Sequence, residues 1–186
     1  PGAVEFRITD DAAYLRVATF INYRTPTDPY KVFSPLFDQI RDRRVQHLIV
    51  DLRENGGGSD DVGVALGRFL LPEPVAIKGR SAVKTLSVPE RLRPLFEKAA
   101  APIELQPLPN AFGGRVTFLT SAYNASGVVI LMSRLKDLRP IRLVGEETGG
   151  SSEGPTAGVI LFLNLPNSKF RVRIPVYRSY TGIKSF

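Results

Sequence analysis

The chain has 186 residues, 43% hydrophobic and 23% charged, which is the balance of one folded globular domain and not of a disordered segment. It has no cysteine and one histidine, His47, which excludes disulfides, thiolate chemistry and a several-histidine metal site built from this chain alone. The formal charge is +7, but the cations are spread along the chain with Asp and Glu between them, so no nucleic-acid footprint forms; no apolar run nears the ~18 residues of a membrane span.

The opening Pro1-Gly2-Ala3-Val4-Glu5 lacks the basic and apolar regions of a signal peptide. The alternation in Tyr14 to Phe20 predicts a strand, and Thr25 to Pro29 predicts a loop. Val32, Leu36, Phe37 and Ile40 form a helical stripe with Ser34-Pro35 near its start, and the charged run Arg41 to Arg44 ends it. Val45 to Leu52 then reads as a buried strand. It stops at Gly56-Gly57-Gly58. A helix follows from Ser59 or Asp60 to Leu71, with Ser59, Asp60 and Asp61 supplying N-cap and first-turn chemistry and Pro72 ending it.

Residues 72–112 hold Pro72, Pro74, Pro89, Pro94, Pro102, Pro107 and Pro109, with a short helical stretch around Pro89 to Ala101; they read as an insertion or lid. Regularity returns with a buried strand at Arg115 to Thr120, a turn at Ser121 to Ser126, a helix at Gly127 to Leu138 and a strand at Ile141 to Gly145. A second glycine turn spans Glu147 to Ser152. Strands Val159 to Leu165 and Phe170 to Val176 form a hairpin about Asn167-Ser168, with Lys169, Arg171 and Arg173 on a solvated face. Strand and helix alternate, which predicts an α/β domain with a mostly parallel sheet, βαβ units and covering helices, occupying residues 1–186 as one unit.

From spacing alone, Ser126 between a buried strand and a helix suits either an N-cap or a nucleophile beside a helix N-terminus. The triple glycine suits either an ordinary strand-to-helix turn or a backbone brought close to a ligand; no Gly-Lys-Ser/Thr follows it, which argues against a phosphate loop.

Three segments in order carry a resemblance. Leu48 to Gly58 resembles an "LIlDLRxNxGG" element. Phe118 to Ser126 is similar to a strand, a "TS" pair, a short turn and a serine opening a helix. Leu143 to Gly150 resembles a "vGExTxG" element. Together they resemble the tail-specific (C-terminal processing) and tricorn-core family of serine peptidases, over about residues 14–178. The resemblance implies a crotonase-like fold and a serine-type endopeptidase acting on unfolded polypeptides or C-terminal tails. It implies Ser126 as the nucleophile and the backbone N–H groups of Gly57 and Gly127 as oxyanion donors. Asp51 and Arg53 then form a structural ion pair or turn anchor, and Gly149 and Gly150 shape the cleft wall. No metal or organic cofactor is implied. An extracytoplasmic (periplasmic or secreted) location is implied by the resemblance only.

The sequence also departs from that pattern. The Ser–Lys branch has its basic lysine 25 residues after the serine, where this chain has Ser151. The chain is therefore more similar to the branch that uses a histidine and an acidic residue. His47 begins the strand whose other end carries the glycine turn, roughly 30 Å away if extended, so it is a poor base. Val129 stands where the family often has a glutamate, which leaves Glu146 and Glu153 as weak acidic candidates. The absent base predicts either a fragment of a longer chain or a degenerate member that binds peptides or small ligands. A crotonase-type acyl-CoA enzyme is a third reading, opposed by the serine turn.

Overall fold

In the computed structural model, the described residues are 2–77, 81–82, 89–93, 103–151, 154–156, 160–175 and 177–178. Strands β1 (Val4–Ile8), β2 (Ala12–Val17), β3 (His47–Asp51), β7 (Arg115–Thr120) and β8 (Ile141–Gly145) form one sheet in the order β1-β2-β3-β7-β8. β1 and β2 are antiparallel, and every later pair is parallel. Helices α1 (Pro29–Asp42), α2 (Asp60–Arg68) and α3 (Gly127–Leu138) supply the crossovers. The α/β, crotonase-like expectation fits this mostly parallel sheet.

The helices share one face of the sheet, for a reason visible in the strand pattern. Ala13, Leu15 and Val17 are buried while Tyr14 and Arg16 between them are partly exposed. Register aligns Leu15 with Val50 and Val50 with Phe118, all fully buried. Against that face lie Phe33, Phe37 and Ile40 of α1 and Leu66 of α2, with Phe69 just beyond it. The Phe37 and Phe69 rings stack with centroids 4.4 Å apart, and Phe33 meets Phe69 edge-on.

Two helix starts differ from the sequence reading. α1 begins at Pro29, not near Ser34-Pro35: Asp28 caps it by accepting the Tyr30 N–H at 3.0 Å, and Pro29 is preset for the first turn. Pro35 sits inside the helix. At α2, Ser59 precedes the helix but makes no side-chain cap; its Oγ instead accepts the Asn22 N–H at 3.1 Å. α2 also ends at Arg68, short of Leu71.

Between α2 and β7 the described part of the Pro-rich region contains β4 (Val75–Ile77) paired with β6 (Ile103–Leu105), and β5 (Ser81–Ala82) paired with β11 (Tyr177–Arg178). A 3₁₀ turn spans Glu90–Leu92; the rest of the predicted helical stretch lies outside the described residues. The stem of the region is fixed to the end of α2 by Leu108 N–H to Arg68 O (3.1 Å) and Phe112 N–H to Phe69 O (2.7 Å). The predicted hairpin forms from β9 (Ile160–Asn164) and β10 (Arg171–Pro175) as a separate two-stranded sheet. Arg171 and Arg173 are exposed, and so is the opposite apolar face, where Phe170 is 72% exposed.

Candidate active site

The site lies at the C-terminal ends of β3, β7 and β8, where an open parallel sheet presents its loops. Each strand delivers one of the three motif segments. Ser126 stands at the head of α3 with φ 54° and ψ −127°. An ordinary N-cap residue has extended backbone and uses its side chain to cap. Ser126 does neither: its φ is positive and its hydroxyl makes no cap bond. A non-glycine residue in this region costs of order 1–3 kcal/mol and persists only where the surroundings impose it. Such a sharp strand–turn–helix bend is the geometry that lifts a serine hydroxyl out of the backbone.

The triple glycine meets this bend. A Cβ on Gly57 (φ +98°) would lie 2.8 Å from Ser126 Cβ, 2.9 Å from Ala125 O and 3.2 Å from the Gly127 nitrogen. The three residues expected to act together, Ser126, Gly57 and Gly127, are thus in contact, forming a cradle that has no room for a methyl at Gly57. Gly56 is covered by the ring of Tyr123, itself 67% exposed. Gly58 (φ +147°) lies so close to Phe20 that a Cβ would fall 2.2 Å from its carbonyl carbon.

The N–H groups are distributed differently from the sequence expectation. The Gly57 N–H is buried and donated to Asn55 Oδ1 at 2.9 Å. Gly58 pairs with Phe20 through the bonds Phe20 N–H to Gly57 O (3.1 Å) and Ser59 N–H to Phe20 O (2.7 Å). In that parallel bridge the N–H of Gly58 itself faces away from Phe20. Gly127 is the first residue of α3, where N–H groups have no intrahelical acceptor. Neither the Gly58 nor the Gly127 N–H has a hydrogen-bond partner among the described residues.

Two buried asparagines join the loops. Asn124 Nδ2 donates to Leu52 O (2.6 Å) and Asn55 O (2.9 Å), and its Oδ1 accepts the Ser121 N–H (2.9 Å). Asn55 Nδ2 donates to Val17 O at 2.9 Å. The third loop docks on the same turn: Gly150 N–H donates to Asn124 O at 2.9 Å, and a Cβ on Gly149 would lie 2.1 Å from Ala122 O. Neither asparagine was singled out by sequence reasoning; Asn55 entered only as a letter of its motif, and Asn124 carried no signal.

Asp51 and Arg53 pair as expected, with Arg53 Nε 3.0 Å from Oδ1 and Nη2 2.7 Å from Oδ2. Tyr14 Oη adds a bond to Oδ2 at 2.6 Å, a partner that the sequence did not reveal. Burial opposes ionisation of Asp51, but the bonds from the Arg53 guanidinium, the Tyr14 hydroxyl and the Arg53 N–H together outweigh it and hold the carboxyl at about 2. Burial, and then the bond to Asp51, raises Tyr14.

His47 lies at the other end of β3, with its Nε2 2.9 Å from Thr117 Oγ1, far along the sheet from the glycine turn. Glu146 is committed to the turn: its Oε2 accepts the Ala122 N–H at 3.1 Å, and its carbonyl accepts the Thr120 hydroxyl at 2.8 Å. Glu153 lies outside the described residues. No cluster of metal-ligating side chains occurs among the described residues.

The family model for Peptidase family S41 matches residues 11–184. The chain belongs to this family. Solved structures share its fold at low identity. A candidate peptidase from Parabacteroides merdae ATCC 43184 is 19% identical with a TM-score of 0.68, covering 97% of this chain and 54% of its own. The photosystem II D1 C-terminal processing protease is 18% identical with a TM-score of 0.65, covering 97% and 44%. Mature CPAF complexed with lactacystin is 14% identical with a TM-score of 0.63, covering 95% and 45%. The chain therefore spans about half the length of these S41-like structures. No curated protein sequence matches it.

Proposed function

We propose that this S41 domain is the catalytic domain of a serine endopeptidase that cleaves unfolded polypeptides or C-terminal tails through an acyl-enzyme on Ser126. The observation that carries the reading is the backbone of Ser126, forced to φ 54° at the head of α3 and facing the Gly57 cradle. In this reading Ser126 Oγ attacks the scissile carbonyl while a base outside the three motif segments takes its proton. The carbonyl oxygen becomes an oxyanion in the cradle, bound by the Gly127 N–H. The second donor is the Gly58 N–H, because the Gly57 N–H is already given to Asn55. The amine leaves with a proton, and water then releases the acyl group. β8, the outer strand of the sheet beside the site, offers an edge along which an extended substrate strand can pair.

A second reading, a peptide-binding module without cleavage, draws on Ser151 standing where the Ser–Lys branch has its base. Labelling by a fluorophosphonate probe separates the two. Covalent labelling that disappears in Ser126→Ala is the result expected of the peptidase. A folded protein that stays unlabelled, in this chain and in any longer form of it, supports the binding module.

A further inference from the structure

We infer that Asn55 and Asn124 are positioning residues that hold the glycine turn and the Ser126 turn in one fixed arrangement; this rests on the peptidase reading of the site. Both side chains are fully buried, at 0% exposure. A buried amide is costly unless its donors and acceptor are used. Here every side-chain bond of the two amides goes to backbone, and the neighbours dictate which way each amide points. Gly57 and Ser121 offer N–H groups, so each oxygen faces one of them; Val17, Leu52 and Asn55 offer carbonyls, so the nitrogens face those.

Each side-chain oxygen bonds within its own turn, and each side-chain nitrogen reaches across to another element. Asn55 ties the end of β2 to the glycine turn. Asn124 ties the Ser126 turn to the end of β3 and to Asn55 itself, and its carbonyl holds the Gly150 loop. By taking the Gly57 N–H, Asn55 fixes the rotation of the 56–58 backbone and so sets where the Gly58 N–H points. An apolar residue of equal volume would fill either cavity, yet would leave the relation between the two turns unspecified.

The test is amide hydrogen exchange by NMR together with fluorophosphonate labelling, on Asn55→Leu, Asn55→Asp and Asn124→Asp. Asn55→Leu removes the acceptor for Gly57. Its Gly57 amide is expected to exchange at least tenfold faster while amides of β2 and β3 keep their protection. Asn55→Asp keeps that acceptor but faces Val17 O with a carboxylate. It is expected to be the less stable protein overall and yet to keep the Gly57 amide more protected than Asn55→Leu does. Asn124→Asp keeps the acceptor for Ser121 and loses both donors, so residues 53–58 are expected to loosen while the Ser121 amide does not. Labelling of Ser126 is expected to fall at least tenfold in Asn55→Leu. Unchanged Gly57 exchange in Asn55→Leu, or a rise no greater than that of the β2 and β3 amides, overturns the positioning role. If exchange behaves as expected but the unaltered protein never labels, in this chain or in any longer form of it, the positioning role stands and the peptidase reading fails.

Discussion

Replacing Gly57 with alanine tests the cradle directly. At φ +98° an L-residue costs about 1–2 kcal/mol, because Cβ crowds its own backbone. The added methyl also lands 2.8 Å from Ser126 Cβ and 2.9 Å from Ala125 O. Neither atom is the free end of a flexible side chain, so the turns must separate, and overpacking of this kind costs about 1–3 kcal/mol. The sum is roughly 2–5 kcal/mol of stability, or a Tm lower by about 4–20 °C in a chain of this size. Separating the turns moves the Gly58 and Gly127 N–H groups away from Ser126, so fluorophosphonate labelling is expected to fall on the order of 100-fold or more. The control is Gly113→Ala, where a Cβ meets nothing within 4 Å and no positive φ is involved. It is expected to change stability by no more than about 0.5 kcal/mol. Thermal unfolding and labelling rates on the two variants are sufficient. A Gly57→Ala protein with the Tm and labelling rate of the unaltered chain would refute the cradle.

Ser126→Gly is expected to abolish labelling and yet raise Tm by about 2–4 °C. Glycine relieves the strain at φ 54° and gives back only part of that gain through the entropy of the unfolded chain; a lower Tm would count against strain at this position. Asp51→Asn tests the anchor under β3. The Asp51 carboxyl is held at about 2, below its ordinary 3.8, so its contribution is complete above about pH 4 and is lost as pH falls toward 2. After allowance for water around the half-exposed Arg53, that contribution is about 1–2 kcal/mol. Urea titrations at several pH values should show the gap between Asp51→Asn and the unaltered chain at neutral pH and its closure near pH 2; a gap that does not vary with pH refutes the assignment. His47→Gln should leave labelling unchanged, since His47 bonds Thr117 at the far end of β3; loss of labelling without loss of structure would reinstate His47 as a candidate base.

Much of this site can be read along the chain because its parts are local. A buried strand, a turn and a helix stripe set β7, Ser126 and α3 within their predicted bounds, and the triple glycine marks where β3 turns into α2. The helix starts were less legible. Asp28-Pro29 carries a capping signal as strong as any near Ser34-Pro35, and Ser59 gives its hydroxyl to the Asn22 N–H rather than to its own helix. Competition from a distant backbone group has no trace in local sequence. The hairpin was found by alternation, but alternation reports which side chains share a face and not whether anything covers that face.

The sequence by itself determined the order of strands and helices, the position of Ser126 at the head of a helix, and glycine where backbone must come close. These follow from periodicity and turn chemistry, which act over a few residues. Only the tertiary structure decided that Gly57 and Ser126 touch, that Asn55 takes the Gly57 N–H, and that Asn124 reaches Leu52 across 72 residues. Those outcomes depend on the parallel register of β3 with β7. That register is set by burial of Leu48, Val50, Val116 and Phe118 on one common face, far along the chain from the loops it brings together.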